Sequence, residues 1–419
     1  MTSPPARSAS PAPRRPYVGR RVLLGVTGGI ASYKSAWLAR LLTLAGAEVD
    51  TVMTRSATEF VGPITFEALT GRATHAELFA AGQALDHIGL ARAAAAIVVA
   101  PATADFLARA AHGEAGDLLT AILLAAGDPR DGAPPVLLVP AMNDRMWAHP
   151  QTRENVTHLR EIGYRVLDPD DGLLAAGEGS GPGRMPEPEV IFSHVGRLLE
   201  SPSLAGRRIV VTAGGTREAV DPVRFLSNRS SGKMGVALAA AAWRRGAEVT
   251  LIAGPLAVPP PPGVTVINVE TTEEMGEAVE RALGDADALV MAAAPADFRA
   301  EQPAPAKIKK ARGPDALRLA PTRDILATTR AARRPGTVVV GFALETGDAV
   351  SAAREKLAAK ALDLIVVNDA SEPGAGFAVN TNRVTLLGRD GREEPLPLMS
   401  KDDVADAILD RVEGLFGGS

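Results

Sequence analysis

Residues 21–54, with the sequence RVLLGVTGGIASYKSAWLARLLTLAGAEVDTVMT, decide the fold class of the chain. An apolar run at Val22–Val26 leads through a glycine-bearing turn into an Ala- and Leu-rich segment at Ser32–Ala45, and a second apolar run follows at Glu48–Met53. Apolar runs without polar alternation are typical of strands covered on both faces, and such strands belong to parallel sheets with crossover helices. The stretch therefore predicts a strand, a helix and a second, parallel strand.

The same alternation of apolar runs and helical segments continues along the rest of the chain. In the N-terminal half, the further candidate strands are Ala96–Ala100, Val136–Val139 and Tyr164–Leu167. In the C-terminal half, the candidate strands are Arg208–Thr212, Glu248–Ile252, Ala288–Met291, Val338–Val340 and Leu364–Val367. We therefore expect an α/β protein with two doubly wound, Rossmann-like three-layer domains.

The length of the chain supports two domains. A chain of 419 residues exceeds one ordinary core and suits two domains of roughly 200 residues each. Residues 1–19 are mainly Pro, Ser, Ala and Arg, so they are predicted to form a disordered tail. The first domain is expected over residues 20–200 and the second over 204–419, with Ser201-Pro202-Ser203 between them as a hinge.

Composition excludes several classes of function. Lys and Arg number 45 against 49 Asp and Glu, and this balance lacks the positive field that non-specific nucleic-acid binding requires. No window reaches the roughly 18 unbroken apolar residues of a membrane helix. The absence of cysteine excludes disulfides, thiolate metal sites and a cysteine nucleophile, and it fits a reducing cytoplasm. We expect a cytoplasmic enzyme with small-molecule substrates, without a nucleic-acid or membrane partner.

The loop after the first predicted strand is a candidate phosphate site. Gly25–Ser32 is rich in glycine and leads into a helix, whose N-terminal N–H groups attract anions. The loop lacks the spacing of a dinucleotide fingerprint, and Met53-Thr54 stands where an acidic residue would bind a ribose. The pattern therefore favours a mononucleotide such as FMN over a nicotinamide cofactor. Glycines that serve only a tight turn are the alternative.

Polar residues also follow other predicted strands, where ligands of open parallel sheets bind. Ala100–Asp105 follows one strand and Pro140–Asn143 the next, and His87 precedes the helix before Ala96. A surface or core histidine and a turn asparagine are the ordinary alternatives. In the second half, Ser230–Gly235 precedes a helix, but it is not a Walker loop because no hydroxyl residue follows Lys233.

Taken together, these motifs resemble two known families. Residues 20–198 are similar to the flavin-containing cysteine decarboxylases, which have a flavodoxin-like fold, and residues 204–415 are similar to the bacterial phosphopantothenate–cysteine ligases. The first resemblance rests on GVTGGIASYK (25–34), HI at His87, APATAD (100–105), PAMN (140–143) and DGLLAAGEGSGPGRMPEP (171–188). The second rests on VTAGGTRE (211–218), DPVRFLSNRSSGKMG (221–235), AAAPADFR (292–299), KIKK (307–310) and GFALET (341–346). Apart from its tail, the chain thus resembles the family of fused phosphopantothenoylcysteine decarboxylases and phosphopantothenate–cysteine ligases of coenzyme A biosynthesis.

For the second domain, the resemblance implies that CTP and Mg²⁺ activate 4'-phosphopantothenate as an acyl-cytidylate, which the amine of cysteine then attacks. Asn228 would hold the acyl group, Asp297 would contact the nucleotide, and Lys307 would offset charge in the second half-reaction. Other residues that the resemblance assigns to the CTP pocket are Met291, Ala292, Ala293, Arg323, Asp324, Ile325, Leu326, Phe342, Lys356 and Lys360. The alternatives are a solvated basic loop for Lys307, and ion pairs with Glu355 for Lys356 and Lys360.

For the first domain, the resemblance implies that FMN oxidises the thiol-bearing carbon before CO₂ leaves. His87 would act as the base and Asn143 would bind the substrate carboxylate, while Gly28, Gly29, Ser32, Thr54 and Thr103 would contact FMN. The family has a proton-donating cysteine in a flap where this chain has Ala176. Glu178 or Ser180 is the candidate substitute, with Glu178 favoured as a catalytic residue; without a donor, the reaction would stop at the enethiol.

Two other functions remain as alternatives. An FMN-binding regulatory protein would account for the missing flap cysteine, although His87, Asn143 and the ligase motifs argue against it. A nicotinamide-dependent oxidoreductase is disfavoured by both glycine-rich loops. The resemblance also implies a homo-oligomer, with trimers of the first domain and dimers of the second forming a dodecamer with flavin sites between subunits.

Overall fold

The computed structural model describes residues 15–78, 85–175, 177, 179–309, 316–345, 349–369, 376 and 379–417. The described residues form two compact units that divide between Glu200 and Ser201. In the described part of the chain, none of the helices combines the length and apolar composition that a membrane span requires.

The N-terminal unit consists of strands and helices that alternate along most of its length. Its strands are β1 Arg21–Val26, β2 Glu48–Met53, β3 Thr74–His75, β4 Ala96–Ala102, β5 Val136–Pro140, β6 Arg165–Val166, β7 Asp170–Leu173 and β8 Ser180–Arg184. Its helices are α1 Ser32–Leu44, α2 Pro63–Thr70, α3 Asp86–Ala93, α4 Ala104–Ala111, α5 Leu118–Ala126, α6 Asp144–Ala148, α7 Pro150–Glu161 and α8 Pro188–Leu199.

The main sheet of this unit has the order β3-β2-β1-β4-β5-β6, and these neighbouring strands pair in parallel. Without the two-residue β3, the order β2-β1-β4-β5-β6 is the flavodoxin-like one. Core residues of α1 and α8 cover one face, and those of α3, α4, α5 and α7 cover the other. The expected doubly wound, three-layer fold is confirmed, and its strand order reverses between β1 and β4.

The N-terminal end of this unit differs from the prediction. Tyr17 lies in the stretch predicted to be a tail, yet it is buried and its ring stacks on Phe192 of α8 with centroids 4.3 Å apart. The Tyr17 hydroxyl donates to the Phe192 carbonyl at 2.6 Å, and the Gly19 N–H donates to Gly46. The expected tail is therefore wrong for residues 15–19, because one aromatic residue adds enough buried surface to order them.

The C-terminal unit repeats the α/β pattern with additional short strands. Its strands are β9 Arg208–Ala213, β10 Glu218–Ala219, β11 Phe225–Leu226, β12 Glu248–Ala253, β13 Thr265–Asn268, β14 Ala288–Met291, β15 Phe298–Ala300, β16 Leu319–Pro321, β17 Val338–Glu345, β18 Leu364–Asp369, β19 Thr381–Asn382, β20 Val384–Gly388, β21 Glu393–Pro395 and β22 Met399–Ser400. Its helices are α9 Lys233–Arg244, α10 Thr272–Leu283, α11 Ile325–Thr328, α12 Ala349–Ala359 and α13 Lys401–Phe416.

The large sheet of this unit has the order β13-β12-β9-β14-β17-β18-β20-β21. The first six strands in this order are parallel and follow the doubly wound pattern, whereas β20 and β21 add an antiparallel edge that the sequence pattern did not predict. Strand order reverses between β9 and β14, so a ligand site is expected beyond their carboxyl ends.

A buried ion network joins α9 to α13 in this unit. Asp406 is 3% exposed, and its carboxylate accepts from Arg244 at 2.8 and 3.0 Å and from Arg245 at 3.2 Å. Arg245 also pairs with Asp410 at 2.9 Å and with Glu413 at 2.8 Å. Because charges removed from water need close partners, these contacts fix how the two helices pack.

The half-buried His194 of α8 predicts a pH dependence of stability. Burial lowers the pKa of His194 to about 4, and the charges of Arg197 and Arg165 add to the effect. Between the ordinary pKa near 6.5 and about 4, the unfolded chain therefore binds a proton that the folded unit does not. We expect the unit to lose up to about 3 kcal/mol as pH falls through this window.

Hydrogen exchange of the α8 amides at several pH values, corrected for the intrinsic rates, measures this loss. The variant His194→Gln removes the titrating group, so its protection should vary less with pH. Equal pH dependence in both proteins would contradict the assignment.

Candidate functional sites

The loop after β1 and the loop after β4, both of which carry residues predicted to contact FMN, are hydrogen-bonded to each other. The hydroxyl of Thr27 donates to the Pro101 carbonyl at 2.8 Å, and the Thr103 N–H donates back to that hydroxyl at 3.1 Å. The hydroxyl of Ser32 donates to the carbonyls of Gly29 and Thr27. These bonds connect the two loops on either side of the point where strand order reverses.

Glycine is required at one position of this loop. A Cβ on Gly28 would lie 2.3 Å from the Cβ of Ser56 and 2.8 Å from its backbone carbon. Gly29 has space for a side chain, since its nearest neighbour is Thr103 at 3.7 Å. Gly28 therefore lets the segment after β2 approach the loop, and Gly29 leaves the surface beside Thr103 uncovered.

At the N-terminus of α1, the N–H groups of Ser32 and Lys34 donate to the carbonyls of Gly29 and Ala31, whereas the Tyr33 N–H has no acceptor among the described residues and is left for an anion. Ala31 caps the helix without a side-chain hydrogen bond, and the first turn carries no acidic residue. Thr54 and Thr103 instead cap the helical segments that follow β2 and β4, and their side chains accept from Ala57 and Phe106. The residues predicted to contact FMN thus gather at the carboxyl ends of β1, β2 and β4, where a phosphate meets an open amide.

Asn143 lies beyond the carboxyl end of the neighbouring strand β5. Its side chain caps α6 by accepting from the Arg145 N–H at 2.9 Å. The hairpin β7–β8 packs on this segment, because the Met142 N–H donates to Gly183 at 3.0 Å and a Cβ on Gly183 would lie 2.2 Å from the Met142 carbonyl oxygen. The hairpin matches the predicted flap, and Ser180 begins its second strand. Ala176 and Glu178 lie outside the described residues.

His87 lies in the first turn of α3 and not in a loop as predicted. The imidazole is half-buried and forms no hydrogen bond or ion pair with another described residue. No hydrogen bond joins His87 to Asn143, the other predicted catalytic residue, in the described part of this unit. The side chain of His87 is therefore available to a ligand.

The C-terminal unit contains a cavity of about 510 Å³ at the carboxyl ends of β14, β17 and β18. Its lining includes every residue that the resemblance assigned to this site except Lys307: Asn228, Met291, Ala292, Ala293, Asp297, Arg323, Asp324, Ile325, Leu326, Phe342, Lys356 and Lys360. These residues come from separate loops, and the reversal of strand order brings them together.

Backbone hydrogen bonds shape the wall of the cavity between Asn228 and Asp297. The Asn228 amide donates to the carbonyls of Ala294 and Pro295 at 3.3 and 2.9 Å. The Thr212 hydroxyl accepts from the Ala293 N–H at 3.0 Å, and the Thr216 hydroxyl accepts from the Ala296 N–H at 2.9 Å. Because its amide nitrogen is engaged, Asn228 presents its oxygen as the remaining hydrogen-bonding group.

Charged side chains on the opposite wall already have partners. Lys360 pairs with Asp324 at 3.1 Å. Burial raises the pKa of Asp324, but hydrogen bonds from Lys360 and from backbone N–H groups outweigh it and leave the pKa below its ordinary value. Arg323 donates to Glu280, Glu273 and Thr328, so its guanidinium is held against α10. The Arg323 side chain therefore forms part of the wall of the site. The Lys360 ammonium lies beside the carboxylate of Asp324.

The sequence analysis named Lys233 in the glycine-bearing segment at the start of α9 but missed Lys401 and Asn368 of the same cavity. Lys233 at the start of α9 donates to Asn380 at 2.7 Å, and the buried Lys401 donates to the carbonyls of Gly376 and Val379 at 2.9 and 2.7 Å. Burial, together with the nearby charge of Lys233, lowers the pKa of Lys401 to about 8. The buried oxygen of Asn368 on the same cavity has no partner among the described residues. In the sequence, the only indication of this part of the cavity was the position of Lys233 in that glycine-bearing segment.

Lys307 lies outside the cavity lining and is exposed. Its segment is attached to the loop between β10 and β11, where the buried Asp221 accepts from the Ile308 N–H at 3.1 Å. Burial raises the pKa of Asp221, but backbone donors, including Val223, Ile308 and Arg224, reverse the effect and hold the pKa below its ordinary value. The alternative of a solvated basic loop thus agrees with the exposure of Lys307. It does not account for the attachment of the neighbouring backbone to Asp221.

The described side chains of these sites do not form a complete set of metal ligands by themselves. Within the described ranges, no group of three or more His, Cys, Asp and Glu side chains is arranged to hold an ion. Mg²⁺ commonly binds through one or two carboxylates, substrate phosphates and water, and Asp297 and Asp324 are carboxylates on the cavity.

Comparisons with known proteins cover both units. The family described as "Flavoprotein" matches residues 11–200, and the family described as "DNA/pantothenate metabolism flavoprotein C-terminal domain" matches residues 204–415. The coenzyme A biosynthesis bifunctional protein CoaBC of Mycobacterium tuberculosis (strain ATCC 25618 / H37Rv) is 47% identical over 417 residues, which cover 96% of this chain and 98% of the relative.

A more distant relative aligns over a similar length, and a solved structure of one domain aligns over about half of the chain. The protein of the same name from Vibrio cholerae is 43% identical over 395 residues, which cover 93% of this chain and 97% of the relative. A crystal structure of the C-terminal domain of a coenzyme A biosynthesis bifunctional protein CoaBC is 38% identical, covers 52% of this chain and 100% of that chain, and has a TM-score of 0.45.

Proposed function

The chain belongs to the family of coenzyme A biosynthesis bifunctional proteins, and from this premise we propose how its two units carry out the two activities. It is an enzyme of coenzyme A biosynthesis with decarboxylase and ligase activities. The proposal assigns decarboxylation of 4'-phosphopantothenoylcysteine to the N-terminal unit and CTP-dependent ligation of cysteine to 4'-phosphopantothenate to the C-terminal unit.

The ligase assignment rests on one observation: the cavity of the C-terminal unit is lined by the residues that the resemblance assigns to CTP. The carboxylate of 4'-phosphopantothenate would attack the α-phosphorus of CTP, and pyrophosphate would leave. The amine of cysteine would then attack the acyl carbon, and CMP would leave. Asn228 would lie beside the acyl group, where its free amide oxygen can accept from a substrate N–H or O–H, while Lys356, Lys360 and the amides before α9 would meet the phosphates. Mg²⁺ would enter with the nucleotide.

The residues at the carboxyl ends of β1, β2 and β4 fit FMN. The uncapped α1 N-terminus and the space beside Gly29 suit a phosphate, and Thr54 and Thr103 border the same loops. When bound there, FMN supplies a two-electron acceptor for the thiol-bearing carbon. His87 would take the thiol proton, and Asn143 would hold the substrate carboxylate in place until it leaves as CO₂. Glu178 is proposed as the late proton donor, with Ser180 as the second candidate.

Exposed apolar residues beside this loop support a homo-oligomer. Ile30, Tyr33 and Trp37 are 66%, 62% and 47% exposed and follow one another at helical spacing from the loop into α1. An apolar stripe of this kind marks a protein interface more often than a solvated surface. We propose that another subunit covers it and completes the flavin site, in a cytoplasmic oligomer of up to twelve chains as the resemblance implies.

The ligase proposal is tested with each nucleoside triphosphate in turn, in the presence of 4'-phosphopantothenate and cysteine. We expect CTP to give equal amounts of pyrophosphate, CMP and 4'-phosphopantothenoylcysteine. Omission of 4'-phosphopantothenate is the control, because activation needs its carboxylate. Pyrophosphate release that does not depend on this acid, or no release with any nucleotide, would contradict the proposal.

The decarboxylase proposal is tested with 4'-phosphopantothenoylcysteine and the purified, FMN-supplemented protein. We expect CO₂ and 4'-phosphopantetheine. A product two hydrogens lighter would show that the flap lacks a proton donor, and Glu178→Gln with unchanged turnover would exclude Glu178 from that role. A protein that binds no flavin and releases no CO₂ would contradict the assignment of this unit.

A further inference from the structure

Asp221 is a buried carboxylate for which the proposed reaction has no role. It lies between β10 and β11, is 3% exposed, and has all of its described partners on two chain segments. Oδ1 accepts from the N–H groups of Val223 and Arg224, both at 2.8 Å. Oδ2 accepts from the Ile308 N–H at 3.1 Å and lies 3.5 Å from the Arg224 guanidinium. Oδ1 therefore serves only the turn at residues 221–224, whereas Oδ2 also reaches the segment that carries Lys307.

Through Oδ2, Asp221 reaches the backbone next to Lys307. The Ile308 N–H belongs to the peptide bond that joins it to Lys307, and the Ile308 carbonyl accepts from Arg224 at 3.0 Å. The Ala304 N–H donates to Val220 at 2.9 Å, which attaches the segment at a third point. The Lys307 ammonium itself forms no hydrogen bond or ion pair with the described residues, so its position depends on these backbone contacts.

Through Oδ1, Asp221 forms the turn that leads to Asn228. The turn at residues 221–224 precedes β11, and Asn228 follows that strand by two residues. One carboxylate thus anchors the bases of the two segments that carry Asn228 and Lys307, although these residues are far apart in the sequence.

We propose that Asp221 is a positioning residue of the ligase, which holds the Lys307–Ile308 peptide so that the ammonium of Lys307 stays beside the Asn228 segment. The inference rests on the ligase function proposed above and adds one residue to it. Asp221 does not touch the substrate; it acts through Lys307. A purely structural carboxylate, which only stabilises the turn, is the competing explanation.

The variant Asp221→Asn separates these two roles. The amide oxygen can still accept from Val223 and Arg224, so the turn is retained. The amide NH₂ group replaces Oδ2 and cannot accept from the Ile308 N–H, so the attachment of Lys307 is lost. Since hydrogen bonds to charged groups are among the stronger ones, we expect ligation to slow by about tenfold or more at saturating CTP.

A double-mutant cycle tests whether Asp221 acts through Lys307. We compare Asp221→Asn, Lys307→Ala and the double variant for the rate of 4'-phosphopantothenoylcysteine formation. If Asp221 acts through Lys307, the double variant is no slower than Lys307→Ala alone. Rate losses that multiply would overturn the proposal. Asp287→Asn is the matched control, because Asp287 accepts from the backbone N–H of Arg208 but lies away from the cavity, and it should ligate at the wild-type rate.

A second readout does not depend on ligase activity. Trypsin cleavage after Lys307, identified by fragment mass, should be faster in Asp221→Asn than in the wild type or Asp287→Asn. Unchanged cleavage would overturn the anchoring role even if the ligase is active. If the wild-type protein makes no ligation product, the proposed ligase function is contradicted. The cleavage comparison would still show whether Asp221 anchors the segment that carries Lys307. CO₂ release by the first unit verifies that the flavin-binding unit of each variant chain is folded and loaded with flavin.

Discussion

Replacement of His87 by glutamine is expected to lower the rate of CO₂ release from 4'-phosphopantothenoylcysteine by about 10²- to 10⁴-fold, the usual contribution of a general base. The reason is that the imidazole lies in the first turn of α3 with no partner among the described residues, so its nitrogens are available to the substrate thiol. Glutamine is similar in length but cannot accept the proton. The measurement is the kcat for CO₂ release at saturating substrate.

Two controls accompany this measurement. His112→Gln changes an exposed histidine at the end of α4 in the same unit and should leave the rate unchanged. The rate of CTP-dependent ligation by the same His87→Gln preparation should equal that of the wild type, because the ligase residues belong to the other unit. A His87→Gln enzyme that releases CO₂ at the wild-type rate would show that another group takes the proton.

Replacement of Asp406 by alanine is expected to destabilise the C-terminal unit by about 3–5 kcal/mol, the cost of removing one partner of a buried ion pair. The carboxylate accepts from both Arg244 and Arg245, which are 7% and 3% exposed. Alanine leaves these guanidinium groups in the same low-dielectric position with fewer acceptors. Urea unfolding of the intact chain, with hydrogen exchange at α9 and α13 to assign the transition, measures the loss.

The control for this prediction is an ion pair of the same unit on the surface. Glu277 and Arg281 approach to 3.6 Å on α10 with both side chains largely exposed, and exposed pairs contribute little. Glu277→Ala should change the free energy of unfolding by less than about 0.5 kcal/mol. Similar losses for both variants would mean that burial does not govern the strength of the α9–α13 network.

The parallel strands were predictable because they are buried on both faces and so carry almost uninterrupted apolar runs. Ala96–Ala100 and Val136–Val139 correspond to β4 and β5, and the order of the main sheets follows from doubly wound topology. The antiparallel edge at β20 and β21 was not predicted: Val384–Gly388 is a mainly apolar and buried run that the sequence analysis overlooked, whereas Glu393–Pro395 is largely exposed and mainly polar. The short edge strand has too little apolar sequence to stand out from a loop.

The sequence predicted the site residues that lie in loops directly after strands. Contacts between side chains that are distant in the sequence were less predictable. The family resemblance assigned Asn228 and Phe342 to one site, and both line the cavity. The contact of Lys233 with Asn380 joins residues 147 positions apart, and no local pattern encodes it. Lys307 was predicted from its motif, but its exposure and its attachment through Ile308 depend on a carboxylate from another segment.

The stacking of Tyr17 on Phe192 has a practical consequence for gene design. The stack places Tyr17, near the start of the N-terminal unit, beside α8. This helix ends at Leu199, where the chain leaves the unit. A module whose two ends adjoin can be joined to a second coding sequence by a short linker, because the appended polypeptide does not have to cross the first module. A truncation at residue 20 would delete the tyrosine and uncover the phenylalanine ring, so an expression clone of this module should start upstream of Tyr17.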